Sequence, residues 1–471
     1  MILPPLAVGQ RIDGFELEQH VHRGGMASLW RVSRPDLSFA AVMKVPSIQD
    51  DPTSIVGFEV EQMIMPLLSG PHVPRFVAAG GFEAQPYIVM EYIEGPSLRA
   101  KLDQAPLPAA EVAAIGTAVA EALHDLHQQH VIHLDLKPGN ILLRPGGQMV
   151  LIDYGLARHE KLPDLLAEEF RLPLGTGPYI SPEQVLRVRD DPRSDLFALG
   201  AVLYHLATGQ RAFGTPTSVA GLRKRLYHAP APPRAVNPDC PPWLQEVILH
   251  CLEPDPEQRY GSAAQVAFDL AQPRTVALTA RSDLTGPAPL AEQLRRWLRS
   301  LGAVPERRNV SQQLMRAPIV LAAVDLSQEW EALADALRAA ARRVLQSEPY
   351  ARLACLSVLK TNRIGLDTPT DEAGRNLHVQ RLVQLQHWAR SLALPPNRVT
   401  YHVLEAPDPA VAIVDYARAN RVDHIVIGSR ASSGLRRYLG SVSTRVVAEA
   451  PCSVTVVKVP REETLGAAVS A

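Results

Sequence analysis

The stretch His133-Leu134-Asp135-Leu136-Lys137-Pro138-Gly139-Asn140 sets a carboxylate, an ammonium and an amide on one short loop. Moving a phosphoryl group onto a hydroxyl calls for that trio: an acceptor for the hydroxyl proton, a cation beside the travelling phosphate, and an oxygen ligand for a divalent metal. Farther along, the apolar run Val150-Leu151-Ile152 leads into Asp153-Tyr154-Gly155. A carboxylate at the end of such a hairpin strand can chelate Mg2+ beside nucleotide phosphates. Upstream, Ala41-Val42-Met43-Lys44 reads as a β-run ending in a lysine suited to phosphates, and Glu61, on the helical stretch Ile55–Leu68, can hold that lysine in place. Lysine is scarce here: of 48 basic residues 41 are Arg and 7 are Lys, and two of the seven are Lys44 and Lys137. A chain that prefers Arg this strongly keeps Lys where a compact point charge is needed.

These groups need a frame to hold them. At 471 residues the chain is long for one domain, and roughly 150 residues per domain suggests about three units. From about Phe15 to Ala271, short β-like and longer helical segments alternate. Over 273–316 Thr, Arg, Gly and Pro accumulate, and the stretch reads as a Pro-rich linker or docking segment with one amphipathic piece at Leu290–Leu301. A new alternation then fills 317–460. Strand-like runs at Ile319–Val324, Leu353–Leu359, Val399–Leu404, His424–Ile427 and Val454–Val459 are separated by helical patterns at Trp330–Leu345, Leu377–Leu392 and Pro409–Ala419. Strands separated by helices predict βαβ units and a parallel sheet. Residues 461–471 read as a tail.

Charge and composition exclude several classes. A net charge of −1 offers no basic face for nucleic acid or an anionic membrane. No long apolar run and no basic, apolar leader is present, so neither a membrane span nor a signal peptide is expected. Cys240, Cys251, Cys355 and Cys452 lack metal or redox spacing and fit free thiols in a reducing cytoplasm. The expectation is a cytoplasmic multidomain protein.

Residues 15–271 resemble a eukaryotic-type Ser/Thr protein kinase of bacterial kind. The landmarks come in order: His22-Arg23-Gly24-Gly25-Met26-Ala27-Ser28-Leu29, Lys44, Glu61, the His133–Asn140 loop and Asp153-Tyr154-Gly155. Ser181-Pro182-Glu183, Asp195-Leu196-Phe197-Ala198-Leu199-Gly200 and a late Arg259 follow. The resemblance implies a kinase domain over 1–272, with a β-rich N-lobe over about 12–91 and a helical C-lobe over about 95–272. It implies ATP as donor with Mg2+, or Mn2+ in its place, and Ser/Thr hydroxyls of protein substrates as acceptors, autophosphorylation included. Asp135 is then the base, and Lys137 the cation at the γ-phosphate. Asn140 and Asp153 become the metal ligands, with Lys44, fixed by Glu61, anchoring the α/β-phosphates. Val21, Gly24, Gly25, Leu29, Val42 and Glu91 complete the nucleotide's surroundings.

Some positions depart from that pattern. His22 and Ala27 stand where loop glycines let backbone amides approach phosphates. Val42 replaces a smaller alanine beside the adenine. Leu134 replaces the arginine that in such kinases clamps a phosphate on the activation loop. Between Asp153 and Glu183 the inner hydroxyls outside Asp153-Tyr154-Gly155 are those of Thr176, Tyr179 and Ser181. Activation-loop phosphorylation is therefore not expected to be the on-switch, and regulation is expected from outside the kinase fold. Two alternatives stand beside an active protein kinase. A small-molecule kinase shares the catalytic loop but lacks the Ser-Pro-Glu and Asp195–Gly200 elements. A low-activity scaffold signalling by nucleotide-dependent assembly is disfavoured by the presence of Lys44, Glu61, Asp135, Asn140 and Asp153.

In the last segment His424-Ile425-Val426-Ile427 runs into Gly428-Ser429, and Gly440-Ser441 precedes the helical run Thr444–Glu449. Glycine and serine between a strand and a helix N-terminus can cradle a phosphate, and Asp325 ends the first strand of the segment. Residues 318–459 resemble the universal stress protein family, which implies a doubly wound five-stranded parallel sheet. Members that bind ATP carry G-x2-G-x9-G-S/T. Here Ala431 holds the second glycine position and the spacing to Gly440-Ser441 is one residue short. A nucleotide site at Asp325, Gly428, Gly440 and Ser441 is one expectation; a regulatory or homodimerisation module, pairing through the last apolar strand, is the other.

Overall fold

In the computed structural model the described residues are 6–24, 27–47, 52–286, 318–326, 331–348, 351–361, 376–395, 398–429 and 440–458. They divide into two units, one within Pro4–Arg308 and one within Asn309–Ala471. Gly25, the amphipathic piece at 290–301, the Arg430–Ala431 end of the second glycine loop and the tail lie outside the described residues.

The first unit begins with an antiparallel sheet. Its strands are β1 (Arg11–Ile12), β2 (Phe15–Arg23), β3 (Ala27–Ser33), β4 (Ala41–Pro46), β5 (Phe76–Gly80) and β6 (Tyr87–Glu91), in the order β1-β2-β3-β4-β6-β5. Side chains alternate between faces of a strand, and β4 shows what that alternation does. Ala41, Met43 and Val45 join Phe15, Leu17 and Val89 in one core. Val42 faces the other way, into a core shared with Val56, Val60 and Ile64 of helix α1 (Pro52–Ile64). Lys44 lies on the Val42 face, so the pleat itself aims it at α1.

The larger, helical lobe follows Gly95. That glycine has φ +137°, and a Cβ there would come within 1.9 Å of the Leu143 carbonyl oxygen, so only glycine fits where the chain passes between lobes. Helices α2 (Arg99–Leu102) and α3 (Ala109–Gln128) lead to short strands β7 (Val131–Ile132), β8 (Ile141–Leu143), β9 (Met149–Leu151) and β10 (Arg158–His159). Strands β8 and β9 pair as a hairpin, and β10 pairs with β7. Then come α4 (Leu165–Glu169), α5 (Pro182–Val185), α6 (Arg193–Thr208), α7 (Val219–Arg223), α8 (Pro233–Val236), α9 (Pro242–Cys251) and α10 (Ala263–Ala271). Nearly every residue of α6 is buried, its neighbours including α3 and α9. A helix apolar all round belongs in a core, and α6 is the post around which this lobe packs.

The 273–316 stretch is not a free linker at its start. Residues 276–284 lie on α9. Glu246, 2% exposed, accepts from the Thr279 N–H (3.0 Å), the Thr279 hydroxyl (2.9 Å) and Arg281 Nη1 (3.0 Å). The neighbouring Gln245 amide donates to the carbonyls of Arg281 (2.8 Å) and Leu284 (2.9 Å).

The second unit is the expected doubly wound sheet. Strands β11 (Ile319–Ala323), β12 (Arg352–Lys360), β13 (Val399–Ala406), β14 (His424–Gly428) and β15 (Ser453–Val457) are all parallel, in the order β13-β12-β11-β14-β15. Helices α11 (Glu331–Ser347), α12 (Leu377–Arg390), α13 (Pro409–Asn420) and α14 (Ser441–Glu449) connect them. The strand order reverses between β11 and β14, where sheets of this kind open a crevice at their carboxyl ends.

Glu246→Ala should let trypsin cut after Arg274 and Arg281 at least about tenfold faster, because one hydrogen bond to a charged group contributes about 1.5 kcal/mol or more. Unchanged cleavage would show that other contacts hold the segment.

Candidate active site

The Lys44 ammonium donates to Glu61 Oε2 (2.5 Å) and to Asp153 Oδ1 (2.8 Å). Burial by itself would lower the lysine, but the two carboxylates outweigh it and hold the ammonium above its ordinary range. Asp153 is pulled down to about 2, chiefly by Lys44. Glu61, 1% exposed, is pushed up by burial, with Lys44 opposing. A lone buried charge is expensive, so buried Glu61 and largely buried Lys44 require a charged partner.

That triad depends on a close approach. Gly57 and Glu61 are one turn apart on α1 and share a face. A Cβ on Gly57 would stand 3.1 Å from the Gly155 carbonyl oxygen, and one on Gly155 would stand 3.3 Å from that of Gly57. Two facing glycines thus let α1 lie against the Asp153-Tyr154-Gly155 turn, which brings Glu61 within reach of Lys44. Asp153 itself has φ +69°, a left-handed backbone that a non-glycine residue adopts only when its surroundings impose it.

The catalytic loop is shaped from below by Asp195 of α6. This fully buried carboxylate accepts from the backbone N–H of His133 (2.9 Å), that of Leu134 (2.8 Å) and His127 Nε2 (2.9 Å). Burial would raise its carboxyl, yet these donors hold it below the usual carboxylate range. Leu134, at φ +60°, is the residue strained by this arrangement. Its side chain is buried, so the leucine contributes to the core where an arginine would reach toward a phosphate. His133 Nε2 donates to the Ile152 carbonyl (3.1 Å), and its Nδ1 accepts from the Asp135 N–H (3.3 Å).

Asp135 is thereby presented with a full set of partners. Lys137 Nζ donates to its Oδ2 (2.6 Å), and Asn140 Nδ2 donates to its carbonyl (3.0 Å) and to Oδ2 (3.2 Å). The Thr176 hydroxyl (2.6 Å) and N–H (3.1 Å) both donate to Oδ1, and Lys137 also reaches Thr176 Oγ1 (3.3 Å). The sequence marks Thr176 only as a structural hydroxyl; its bond to Asp135 spans 41 positions and no local pattern reveals it. The Asn140 amide nitrogen is engaged, which leaves its carbonyl oxygen for a ligand. Asp153 likewise keeps Oδ2 beyond its bond to Lys44, on a side chain 40% exposed. Two oxygen donors fit a hard divalent cation that takes its remaining ligands from phosphates and water.

Around the expected nucleotide position, Val42 is buried beside Met90 and Leu29 packs partly against the same core. Val21 stays 38% exposed. Gly24 closes a turn by donating its N–H to the Ala27 carbonyl (2.9 Å). The Glu91 carboxylate is held by Arg144 (2.6 and 3.0 Å), so only its backbone is left for a nucleotide.

Beyond Thr176 the chain forms a platform fastened at two points. Glu183 is held by Arg259 through both oxygens (2.6 and 2.8 Å), a buried bidentate pair. Arg225, 1% exposed, donates to the carbonyls of Ile180, Gly177 (2.8 Å) and Leu222 (3.2 Å) and lies over the Phe213 ring (5.1 Å). Burial lowers its guanidinium to about 10. Nothing in the sequence around Arg225 signals this role.

In the second unit, Asp325 follows β11 and Gly428 ends β14, so both lie at the crevice where strand order reverses. A Cβ on Gly428 would meet the Leu333 side chain of α11 at 3.0 Å, so helix packing is close against this glycine. The Gly440 N–H donates to Ser429 Oγ (3.1 Å), and Ser441 opens α14.

Known proteins resemble the chain in two stretches. The protein kinase domain family matches residues 15–269, and the universal stress protein family matches residues 317–458. A probable serine/threonine-protein kinase of Clostridium perfringens is 31% identical over 259 residues, 54% of this chain and 38% of that protein. A probable serine/threonine-protein kinase PknB of Lactococcus lactis is 30% identical over 263 residues, 55% and 42% of the two chains. The serine/threonine-protein kinase PknB of Mycolicibacterium smegmatis is 31% identical over 265 residues, again 55% and 42%. The matched part spans about two fifths of the length of these relatives.

A carboxyl held at about 2 against an ordinary 3.8 stabilises the fold fully above about pH 4 and loses that contribution as pH falls toward 2. Urea unfolding of Asp153→Asn should therefore show a shallower loss of stability than wild type between pH 4 and pH 2. Parallel curves would disprove the charge coupling.

Proposed function

The chain belongs to the protein kinase family over residues 15–269, and we propose that it transfers the γ-phosphoryl group of ATP to Ser or Thr hydroxyls of proteins, its own chain included. The observation that carries this reading is the simultaneous assembly of two groups of residues: Lys44 with Glu61 and Asp153, and Asp135 with Lys137, Asn140 and Thr176. The family uses ATP with a divalent metal, and Mg2+ is the ion we assign. Asn140 and Asp153 would hold it, where it would neutralise charge on the phosphate oxygens.

The chain's own residues then divide the work. Lys44, kept charged by its two carboxylates, binds the α/β-phosphates. Asp135 takes the proton from the incoming hydroxyl at one carboxylate oxygen. Lys137, already 2.6 Å from Asp135, is placed to follow the γ-phosphoryl group as charge builds on it. Lys137 also contacts Thr176, which links the chain leading into the substrate platform to the catalytic carboxylate. The platform, fastened by Glu183–Arg259 and by Arg225, favours a polypeptide acceptor over a small molecule.

The second unit we assign to regulation or homodimerisation. Among the described residues its last strand, β15, is an edge strand of the sheet, paired only with β14, and the residues of 156–173 include no hydroxyl through which the kinase lobe could be switched. A cytoplasmic setting accords with the absence, among the described residues, of any helix long and apolar enough to cross a membrane.

Full-length protein incubated with labelled Mg-ATP should incorporate phosphate on Ser or Thr, and Asp135→Asn should reduce the rate by about 100-fold or more. Equal labelling of the two proteins would remove Asp135 from the role of base, and absence of labelling on any protein substrate would favour an assembly role.

A further inference from the structure

The segment between Asp153 and Glu183 has a defined course although it lacks the means by which such loops are usually pinned. Its hydroxyls belong to Tyr154, Thr176, Tyr179 and Ser181. Tyr154 and Tyr179 are buried, Ser181 caps α5, and Thr176 is bonded to Asp135. Leu134 removes the arginine of the catalytic loop that could grip a phosphate.

Asp164 stands at the centre of what holds the loop. Arg189 Nε donates to both of its oxygens (2.9 and 3.2 Å), and Oδ1 also accepts from the Ala167 N–H (3.2 Å). Arg158 flanks the same carboxylate at 3.8 Å and lies 3.7 Å from Asp190. Arg189 is 7% exposed, and its Nη2 donates to the Leu156 carbonyl (3.0 Å), so one guanidinium ties both ends of 156–164 together. Arg158 Nε and Arg189 Nη1 are buried without a hydrogen-bond partner among the described residues. Two guanidinium groups converge on one carboxylate, leaving donor capacity that a dianion with three acceptor oxygens would fill more completely.

The consequence reaches the active site through packing. Leu165 and Leu166, next after Asp164, are buried in the core that also holds Val56, Val60 and Ile64 of α1. A small cavity between α1 and the chain just before α4 is lined by Val60, Met63 and Ile64 on one side and Leu162, Pro163 and Asp164 on the other. Val60 is the neighbour of Glu61 in sequence, so the position of α4 bears on the helix that presents Glu61 to Lys44.

We propose that Asp164, gripped by Arg189 and Arg158, takes the structural part of a loop phosphate and keeps α1 and Glu61 in place without any modification of the chain. Asp164 is a positioning residue. Its effect on catalysis rests on the phosphoryl-transfer reading above; its effect on the loop does not.

Asparagine caps a helix as well as aspartate does but carries no charge, so Asp164→Asn separates the clamp from simple capping. Full-length protein is followed by amide hydrogen exchange across 156–170 and 52–64, and by kcat and KM for Mg-ATP. Asp164→Asn should raise exchange in both stretches by about tenfold and lower kcat by a similar factor, with Asp164→Glu restoring most of both. Arg189→Met should reproduce the defect, and the double variant should be no worse than either single one. Wild-type exchange and turnover in Asp164→Asn would overturn the proposal, and so would additive losses in the double variant. If Asp164→Asn does not fold, Arg189→Met is read by the same criteria. Should no protein substrate be labelled by wild type, the phosphoryl-transfer reading fails while the exchange comparison still decides the clamp.

Discussion

One ammonium shared by two carboxylates sets the terms for the first unit. Lys44, Glu61 and Asp153 come from a strand, a helix and a turn that are far apart in sequence, and the buried charges of Glu61 and Lys44 are tolerable because they meet. Removing one partner from a buried pair of this kind typically costs about 3–5 kcal/mol. The requirement propagates outward. It demands the facing glycines at 57 and 155, the left-handed backbone at Asp153, and a β4 strand whose alternation points Lys44 toward α1.

The same economy of charge organises the lower lobe. Asp195 in the core gives up water for backbone N–H groups, and in doing so holds Leu134 in a strained conformation that places Asp135. Arg259 answers Glu183, and Arg225 answers carbonyl oxygens of the segment below Thr176. Each is a buried polar group satisfied by chain that would otherwise be loop. Backbone strain and buried charge are thus coupled, and rigidity is concentrated where a phosphate, a metal and a hydroxyl would have to be brought into line.

Local pattern made much of this legible. Strand-like runs separated by helical patterns marked the parallel sheet of the second unit, with strand bounds that differ from the expected ones by a few residues at most. The spacing within His133–Asn140 placed base, cation and amide on one loop, because residues that close in sequence have little room to separate. Roles that depend on distant partners were not legible. Thr176 on Asp135, Arg225 under the platform, Arg189 on Asp164, and Thr279 on Glu246 join residues from 25 to 48 positions apart. The 273–316 stretch is readable as a linker or docking segment, but its Pro-rich composition does not show that its start docks on α9.

By itself, then, the sequence determined which chemistry is available and on which loops it sits, because side-chain type and short-range spacing are local properties. Tertiary structure alone decided which charges meet, that α11 packs closely against Gly428, and that the Gly440 N–H is taken by Ser429. It also decided that a carboxylate at 164 can stand between two guanidinium groups. Those outcomes follow from the close approach of separately folded segments, where tenths of an ångström and the loss of water set the energy, and neither quantity is written in the order of residues.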